Sequence, residues 1–305
     1  PAPAYHFDIN NMSHGAMTGA MLARIEEVLV KEKPDVVLVY GDTNSTLAGA
    51  LAASKLHIRL AHVEAGLRSR NMRMPEEINR ILTDRVANDL FCPTEGAVRN
   101  LEAEGFRGFG NCRIVQCGDV MLDAALYYAG KSAAKSTIAS CLPNGPFVLC
   151  TLHRAENTDD PNRLKSILDA LNTIHRKTPV ILPLHPRTRN LLAKGGYTTE
   201  FQTIDPVGYF DMLELIKKCA LILTDSGGLQ KEAFFFRKHC ITLRDDTEWE
   251  ELLKNGYNIL AGARSDVILA SYEKMMSAKS GFTEHFYGEG NACAIIADAL
   301  QEGNS

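Results

Sequence analysis

Short strand-like runs, most of them rich in apolar residues, recur along this chain, and between them apolar residues return with a helical period. The runs are VVLVY at 36–40, RLAHV at 59–63, LFCPT at 90–94, IVQCG at 114–118, FVLC at 147–150, VILPL at 180–184, FQTID at 201–205, LILTD at 221–225, CITLR at 240–244 and NILAG at 258–262. A strand without apolar–polar alternation is buried on both faces, as strands of parallel sheets are. Strand-like runs that alternate with helices predict a doubly wound α/β architecture. At 305 residues the chain is long enough for two such domains.

The period predicts helices over 15–32, 44–55, 95–104, 119–129, 162–176, 209–218, 229–237 and 247–254. Others begin at Pro75, Arg187 and Ser265. The stretch 131–145 is polar, rich in small residues and contains Pro143, so it reads as the linker between domains or as the end of the first domain. A net charge of −4 gives no support to general nucleic-acid binding. Arg68, Arg70 and Arg73 cluster beside carboxylates, which suits an anionic small molecule better than a polyanion track. No apolar run approaches the roughly 18 residues of a membrane span. The eight cysteines form no C-x-x-C pair, and several lie inside strand-like runs. They read as buried free thiols of a reducing, cytoplasmic compartment.

In open α/β sheets, ligands sit outside the carboxyl ends of strands, and two such domains can turn those ends toward one cleft. Asp42, Glu64, His153, His185 and Ser226 all follow predicted strands. Asp225-Ser226-Gly227-Gly228 joins a strand end to a helix start, where free N–H groups and the helix dipole suit a diphosphate. Glu232, about a turn further on, could accept from ribose hydroxyls. A helix cap by Asp225 or Ser226 would use the same residues. His153-Arg154, and the weaker His185-Pro186-Arg187, could clamp an anionic leaving group.

Asp42 could instead cap the helix that begins near Asn44. Glu64 sits among Leu60, Ala61, Val63 and Ala65, so desolvation should raise its pKa unless Arg68 compensates. Glu76 and Glu77 fall in a helix's first turn, where carboxylates are favoured. Arg80 lies four residues after Glu76, the spacing of a helix-face ion pair. No set of His, Cys and Asp has metal-ligand spacing, and no Walker or G-x-G-x-x-G motif is present.

The pieces GDTNST at 41–46, HVEAGLRS at 62–69, MPEEINR at 74–80, TLHRAEN at 151–157, LHP at 184–186 and DSGGLQKEA at 225–233 resemble the non-hydrolysing UDP-N-acetylglucosamine 2-epimerase family. RDDTEWEE at 244–251 and YGEGNACA at 287–294 match as well, in the family's order. The resemblance implies a glycosyltransferase-B-like α/β fold with two Rossmann-like domains facing a cleft. The first would span 1–130, joined by a C-terminal helix at 290–301, and the UDP-binding one 146–289. It implies a homodimer, a UDP-sugar substrate, and no cofactor or metal. The family's opening strand and Gly-Thr-Arg-Pro-Glu type loop have no counterpart here, so the first sheet is expected to lack its opening strands.

The implied reaction inverts C2 of a UDP-N-acetylhexosamine for surface-polysaccharide synthesis. The C2 proton is not beside a carbonyl, so the route is loss of UDP with that proton, then re-addition of both. This needs acid/base groups for the two faces and stabilisation of departing UDP. By resemblance, Asp42, Glu64 and Glu76 form the acid/base set. Arg80 and His153 support the sugar and diphosphate, with Arg154 and His185 beside them. Ser226, Gly227, Gly228 and Glu232 clamp UDP, with Arg187 a weaker member. The Arg-rich stretch RSRNMRMPEEINR at 68–80 also fits a UDP-2,3-diacetamido-glucuronate, whose carboxylate Arg70 or Arg73 would meet. A glycosyltransferase or an inactive UDP-sugar binder would share the fold and the UDP clamp, but the carboxylate triplet argues against the transferase.

Overall fold

The computed structural model describes residues 2–110, 112–184, 186–278 and 281–302. Two compact units divide the chain: one runs to Asp123 and resumes at His285, and the other is Ala124–Glu284.

The first unit holds α1 (His14–Glu32), β1 (Val36–Tyr40), α2 (Asn44–Lys55), β2 (Arg59–Val63), α3 (Pro75–Val86), β3 (Asp89–Cys92), α4 (Glu95–Ala103), β4 (Arg113–Gln116) and the start of α5 (Val120–Lys135). Its strands pair in the order β1-β2-β3-β4, all parallel. Tyr40 lies opposite Val63, so Gly41–Asp42 and Glu64 leave the sheet at one level.

The second unit holds the rest of α5, then β5 (Val148–Thr151), α6 (Ala155–Thr158), α7 (Pro161–His175), β6 (Val180–Pro183), α8 (Pro186–Gly195), β7 (Gln202–Ile204) and α9 (Tyr209–Lys218). It continues with β8 (Leu221–Thr224), α10 (Gly227–Phe235), β9 (Cys240–Thr242), α11 (Glu250–Lys254), β10 (Asn258–Leu260) and α12 (Ser265–Ser277). The parallel sheet runs β10-β9-β8-β5-β6-β7. Alternate residues feed two cores: Val148, Leu182 and Leu223 face one, while Leu149, Ile181 and Ile222 face the other. Burial on both faces is why β5, β6 and β8 read as apolar runs, whereas the edge strand β7 is largely exposed.

The last helix, α13 (Ala292–Glu302), returns to the first unit and packs Ile296 and Ala299 with Ala61, Val63 and Phe91. Both its ends are tied. The Asp123 carboxylate accepts from the N–H groups of Ala292 (3.1 Å) and Cys293 (2.8 Å). At the other end Arg59 donates to Leu300 O (3.1 Å) and Arg113 to Ala299 O, and Asp89 pairs with both arginines. An anion at the amino end and cations at the carboxyl end complement the helix dipole.

Three local expectations need correction. The stretch read as a linker continues α5 as far as Lys135. Lys-Ser-Ala-Ala-Lys favours helix, and buried Ser132 donates to Glu214 Oε1 on α9 (2.6 Å). The helix expected over 247–254 begins only at Glu250. Ahead of it, Thr247 donates to Gln230 (2.8 Å) and the Trp249 indole to Gly227 O (3.0 Å), which holds the chain as a loop. Conversely α10 starts at Gly227, two residues before the expected helix.

Candidate active site

In the first unit the chemistry gathers around α3. Pro75 opens this helix without needing a hydrogen bond. Its buried stripe Glu77, Arg80 and Asp84 recurs at i, i+3 and i+7, one helix face. Arg80 ion-pairs with Glu77 (2.9 Å) and with Asp42 on the β1–α2 turn. Asn79 donates to the Asp42 backbone carbonyl (2.8 Å). The same turn is closed by a capping box between Thr43 and Thr46, so Thr43, not Asp42, caps α2. That leaves the Asp42 carboxylate to Arg80.

Glu64 leaves β2 in a left-handed conformation (φ 70°) that an L-residue adopts only when its surroundings impose it. Its Oε2 lies 3.3 Å from where a Cβ on Gly41 would be, so the glycine lets Glu64 reach over the Asp42 turn. Gly66 follows at φ 79°, with no room for a side chain: a Cβ there would meet Ala97 O at 2.4 Å.

The two adjacent glutamates of α3 part company. Glu77 is buried and accepts from Ser69 N (2.9 Å), Ser69 Oγ (3.0 Å), Arg70 N (2.8 Å) and Arg80 (2.9 Å). It holds the 69–71 turn against the helix. Glu76 is partly exposed and has no recorded hydrogen bond or ion pair among the described residues. The expected Glu76–Arg80 pair therefore gives way to Glu77–Arg80 at i, i+3. Arg68 is buried against Asp84 (2.7 Å) and Glu104 (2.7 Å). Arg70 and Arg73 are exposed.

In the second unit the chain order reverses between β5 and β8, which are neighbours in the sheet. Such a switch point opens a crevice at the strands' carboxyl ends. The β5 end carries His153 and Arg154; the β8 end carries Ser226, Gly227 and Gly228. Buried Asp225 ties the two ends, accepting from the backbone N–H groups of His153 (3.0 Å) and Arg154 (2.9 Å), with His153 Nδ1 at 3.3 Å. Ser226 is the N-cap of α10, its Oγ accepting from Leu229 N (3.4 Å).

A cavity of about 300 Å³ opens there, lined by His153, Ser226, Gly228 and Glu232 at its polar side and by Pro183, Pro206, Val207 and Met212 at its apolar side. Burial pushes the Glu232 carboxyl above its ordinary range, while the Tyr209 hydroxyl, donating at 2.8 Å, pulls the other way. Burial, and then the Glu232 carboxylate beside it, push the Tyr209 phenol up.

The residues singled out in the sequence thus form two groups: Asp42, Glu64, Glu76 and Arg80 in one unit, and His153, Arg154, Ser226, Gly227, Gly228 and Glu232 in the other. His185 and the side chain of Arg187 lie outside the described residues. Sequence reasoning missed Asp84 and Tyr209, and found in His62 only a weak hint of a site, from its alternation with Glu64 along the strand. The i, i+3, i+7 polar stripe of PEEINRILTDRV could have found Asp84; Tyr209 meets Glu232 only through the fold. Among the described residues no cluster of His, Cys, Asp and Glu could hold a metal ion.

Two parallel-sheet units of this kind, with a switch-point crevice in one and strand-end carboxylates in the other, define a protein of the doubly wound α/β class. The family model for UDP-N-acetylglucosamine 2-epimerase matches residues 1–301, and the chain belongs to that family. It is 56% identical over 301 residues to the UDP-2,3-diacetamido-2,3-dideoxy-D-glucuronate 2-epimerase of Pseudomonas aeruginosa, covering 98% of this chain and 84% of that one. With a UDP-N-acetylglucosamine 2-epimerase of Methanocaldococcus jannaschii it shares 44% identity over 315 residues, 99% of this chain and 85% of the other. A crystal structure of the Methanocaldococcus jannaschii UDP-GlcNAc 2-epimerase, in complex with UDP-GlcNAc and UDP, superposes with a TM-score of 0.88 at 41% identity, over 99% of this chain and 85% of that one. The fold is accordingly glycosyltransferase-B-like, with two Rossmann-like domains.

Proposed function

We propose that the chain inverts C2 of a UDP-linked N-acetylated hexosamine by elimination and re-addition of UDP. The observation that carries this is the division of labour at α3: Glu77 takes up Arg80 and the 69–71 turn, which leaves Glu76 available on the same helix whose Arg80 reaches Asp42. The second unit supports the nucleotide. In the reading, the diphosphate meets the α10 amino terminus at Ser226–Gly228 with His153 and Arg154, and the ribose meets Glu232. One carboxylate removes the C2 proton as the C1–O bond to UDP breaks, giving a glycal. UDP then adds back at C1 while a second carboxylate delivers a proton to the opposite face of C2.

The substrate we favour is UDP-2,3-diacetamido-2,3-dideoxy-glucuronate. The 56% identity to the Pseudomonas aeruginosa epimerase supports it, as do exposed Arg70 and Arg73 on the segment leading into Glu76. UDP-N-acetylglucosamine is the second reading, supported by the family model and the archaeal relatives. The reading extends to a cytoplasmic homodimer serving surface-polysaccharide synthesis, supported by the family resemblance. Proton NMR in D₂O with each substrate tests it: the product should be the C2 epimer carrying deuterium at C2. Arg73→Ala should lose activity on the uronate alone; loss on neither substrate refutes the carboxylate contact, and silence with both substrates refutes the epimerase reading.

A further inference from the structure

One buried chain of contacts links the two turns that carry Asp42 and Glu64, and none of its members reaches the reacting sugar in the mechanism above. His62 and Asp84 are fully buried. His62 Nε2 lies 2.7 Å from Gly41 O, and His62 Nδ1 lies 2.7 Å from Asp84 Oδ1. Asp84 Oδ2 accepts from Gly66 N (3.1 Å) and from Arg68 (2.7 Å). Arg68 is in turn held by both carboxylate oxygens of Glu104, at 2.7 and 2.9 Å. The link thus runs Gly41–His62–Asp84–Gly66. Asp42 is the residue after Gly41, and Glu64 lies between His62 and Gly66.

The directions of these bonds follow from the atoms. A backbone carbonyl only accepts, so His62 Nε2 carries a proton and donates to Gly41 O. The short Nδ1–Oδ1 contact also needs a proton between its atoms, so the pair holds one there. The Glu64 backbone is left-handed and needs outside restraint, and Asp84 supplies it at Gly66. We propose that Asp84, acting through His62, is a positioning residue that fixes the Asp42 turn relative to Glu64 and ties both to α3. Two carboxylates that serve opposite faces of one carbon need their separation held, because small displacements at a reacting centre cost large factors in rate.

The inference rests on the epimerase reading, and the test separates the two. His62→Gln leaves Asp84 bound to Arg68 and Gly66, but one amide cannot span from Gly41 O to Asp84. Asp84→Asn can keep every contact if its amide donates to a neutral His62. The expected result for His62→Gln is a fall in kcat of about tenfold or more, with KM and UDP affinity within roughly threefold of native and an unchanged circular-dichroism spectrum. Asp84→Asn should stay within roughly threefold of native kcat, rescue that a merely bulky or charged role would not give. A folded His62→Gln with native kcat, or an Asp84→Asn as impaired as His62→Gln, overturns the proposal. Nitrogen-15 NMR of histidine-labelled native protein tests the link without any variant, since the His62 Nε2 proton must be present and hydrogen-bonded. Its absence overturns the proposal; its presence in a chain inactive on both sugars upholds the link and refutes the epimerase reading.

Discussion

Glu76 and Glu77 are neighbours in sequence and should fail in opposite ways when changed. Glu77 accepts four hydrogen bonds in a buried site, one of them from Arg80. Removing one partner of a buried ion pair costs about 3–5 kcal/mol, because the other charge stays buried. Asp42 still faces Arg80, so Glu77→Ala should fall near the lower end, about 3 kcal/mol. At roughly 2–4 °C per kcal/mol for a unit of this size, the thermal midpoint should drop by about 6 °C or more. Glu76→Gln touches no recorded partner and should stay within about 0.5 kcal/mol of native stability. Its turnover should fall about 10²–10⁴-fold as an acid/base group is lost. Urea titration with circular dichroism reads the first quantity, and deuterium incorporation at C2 the second. A Glu77→Ala as stable as native, or a Glu76→Gln that turns over normally, would refute the assignment of the two roles.

Asp42→Asn and Glu64→Gln should each lower turnover by about 10²-fold or more while UDP binding, measured by calorimetry, is kept; normal turnover removes that residue from the acid/base set. Glu232 should make UDP binding pH-dependent. Its pKa is raised in the free protein, so it takes up a proton as pH falls through that raised value and can then accept less from ribose hydroxyls. UDP affinity should therefore weaken below that pH and recover above it, and Glu232→Gln should abolish this component; an identical pH profile in the variant rejects the contact. Gly66→Ala would drive a Cβ against Ala97 O and into a positive φ, so a loss of about 2 kcal/mol or more in urea denaturation is expected, and a native-like midpoint would contradict the close approach.

The strands were legible because burial on both faces leaves an unbroken apolar run, as in VILPL and LILTD, and β1 and β2 lie where those runs predict. Asp42, Glu64 and Ser226 were legible for a related reason: a polar residue directly after such a run sits at a sheet's carboxyl edge. Partnership was not legible. Arg80 could pair with Glu76 or Glu77 by helix spacing, and only the Ser69–Arg70 turn folding back onto Glu77 decides between them. The switch point at β5 and β8 was hidden as well, since strand order is set by long-range pairing that no local pattern encodes. Residues 131–135 misled because small polar residues mark loops, whereas here Ser132 finds its partner on α9.

The tethering of α13 at both ends sets an order of events during synthesis. The Ala124–Glu284 unit is continuous, so all its strands have left the ribosome before the last helix is made. The other unit's sheet must wait for Ile296 and Ala299 to cover Val63 and Phe91. With about 160 residues made in between, at roughly 5–20 residues per second, that wait lasts on the order of ten seconds or more. During it the earlier half of the chain presents a bare apolar sheet face, the state in which a nascent protein most needs a chaperone or a fast-folding neighbour to keep it from self-association.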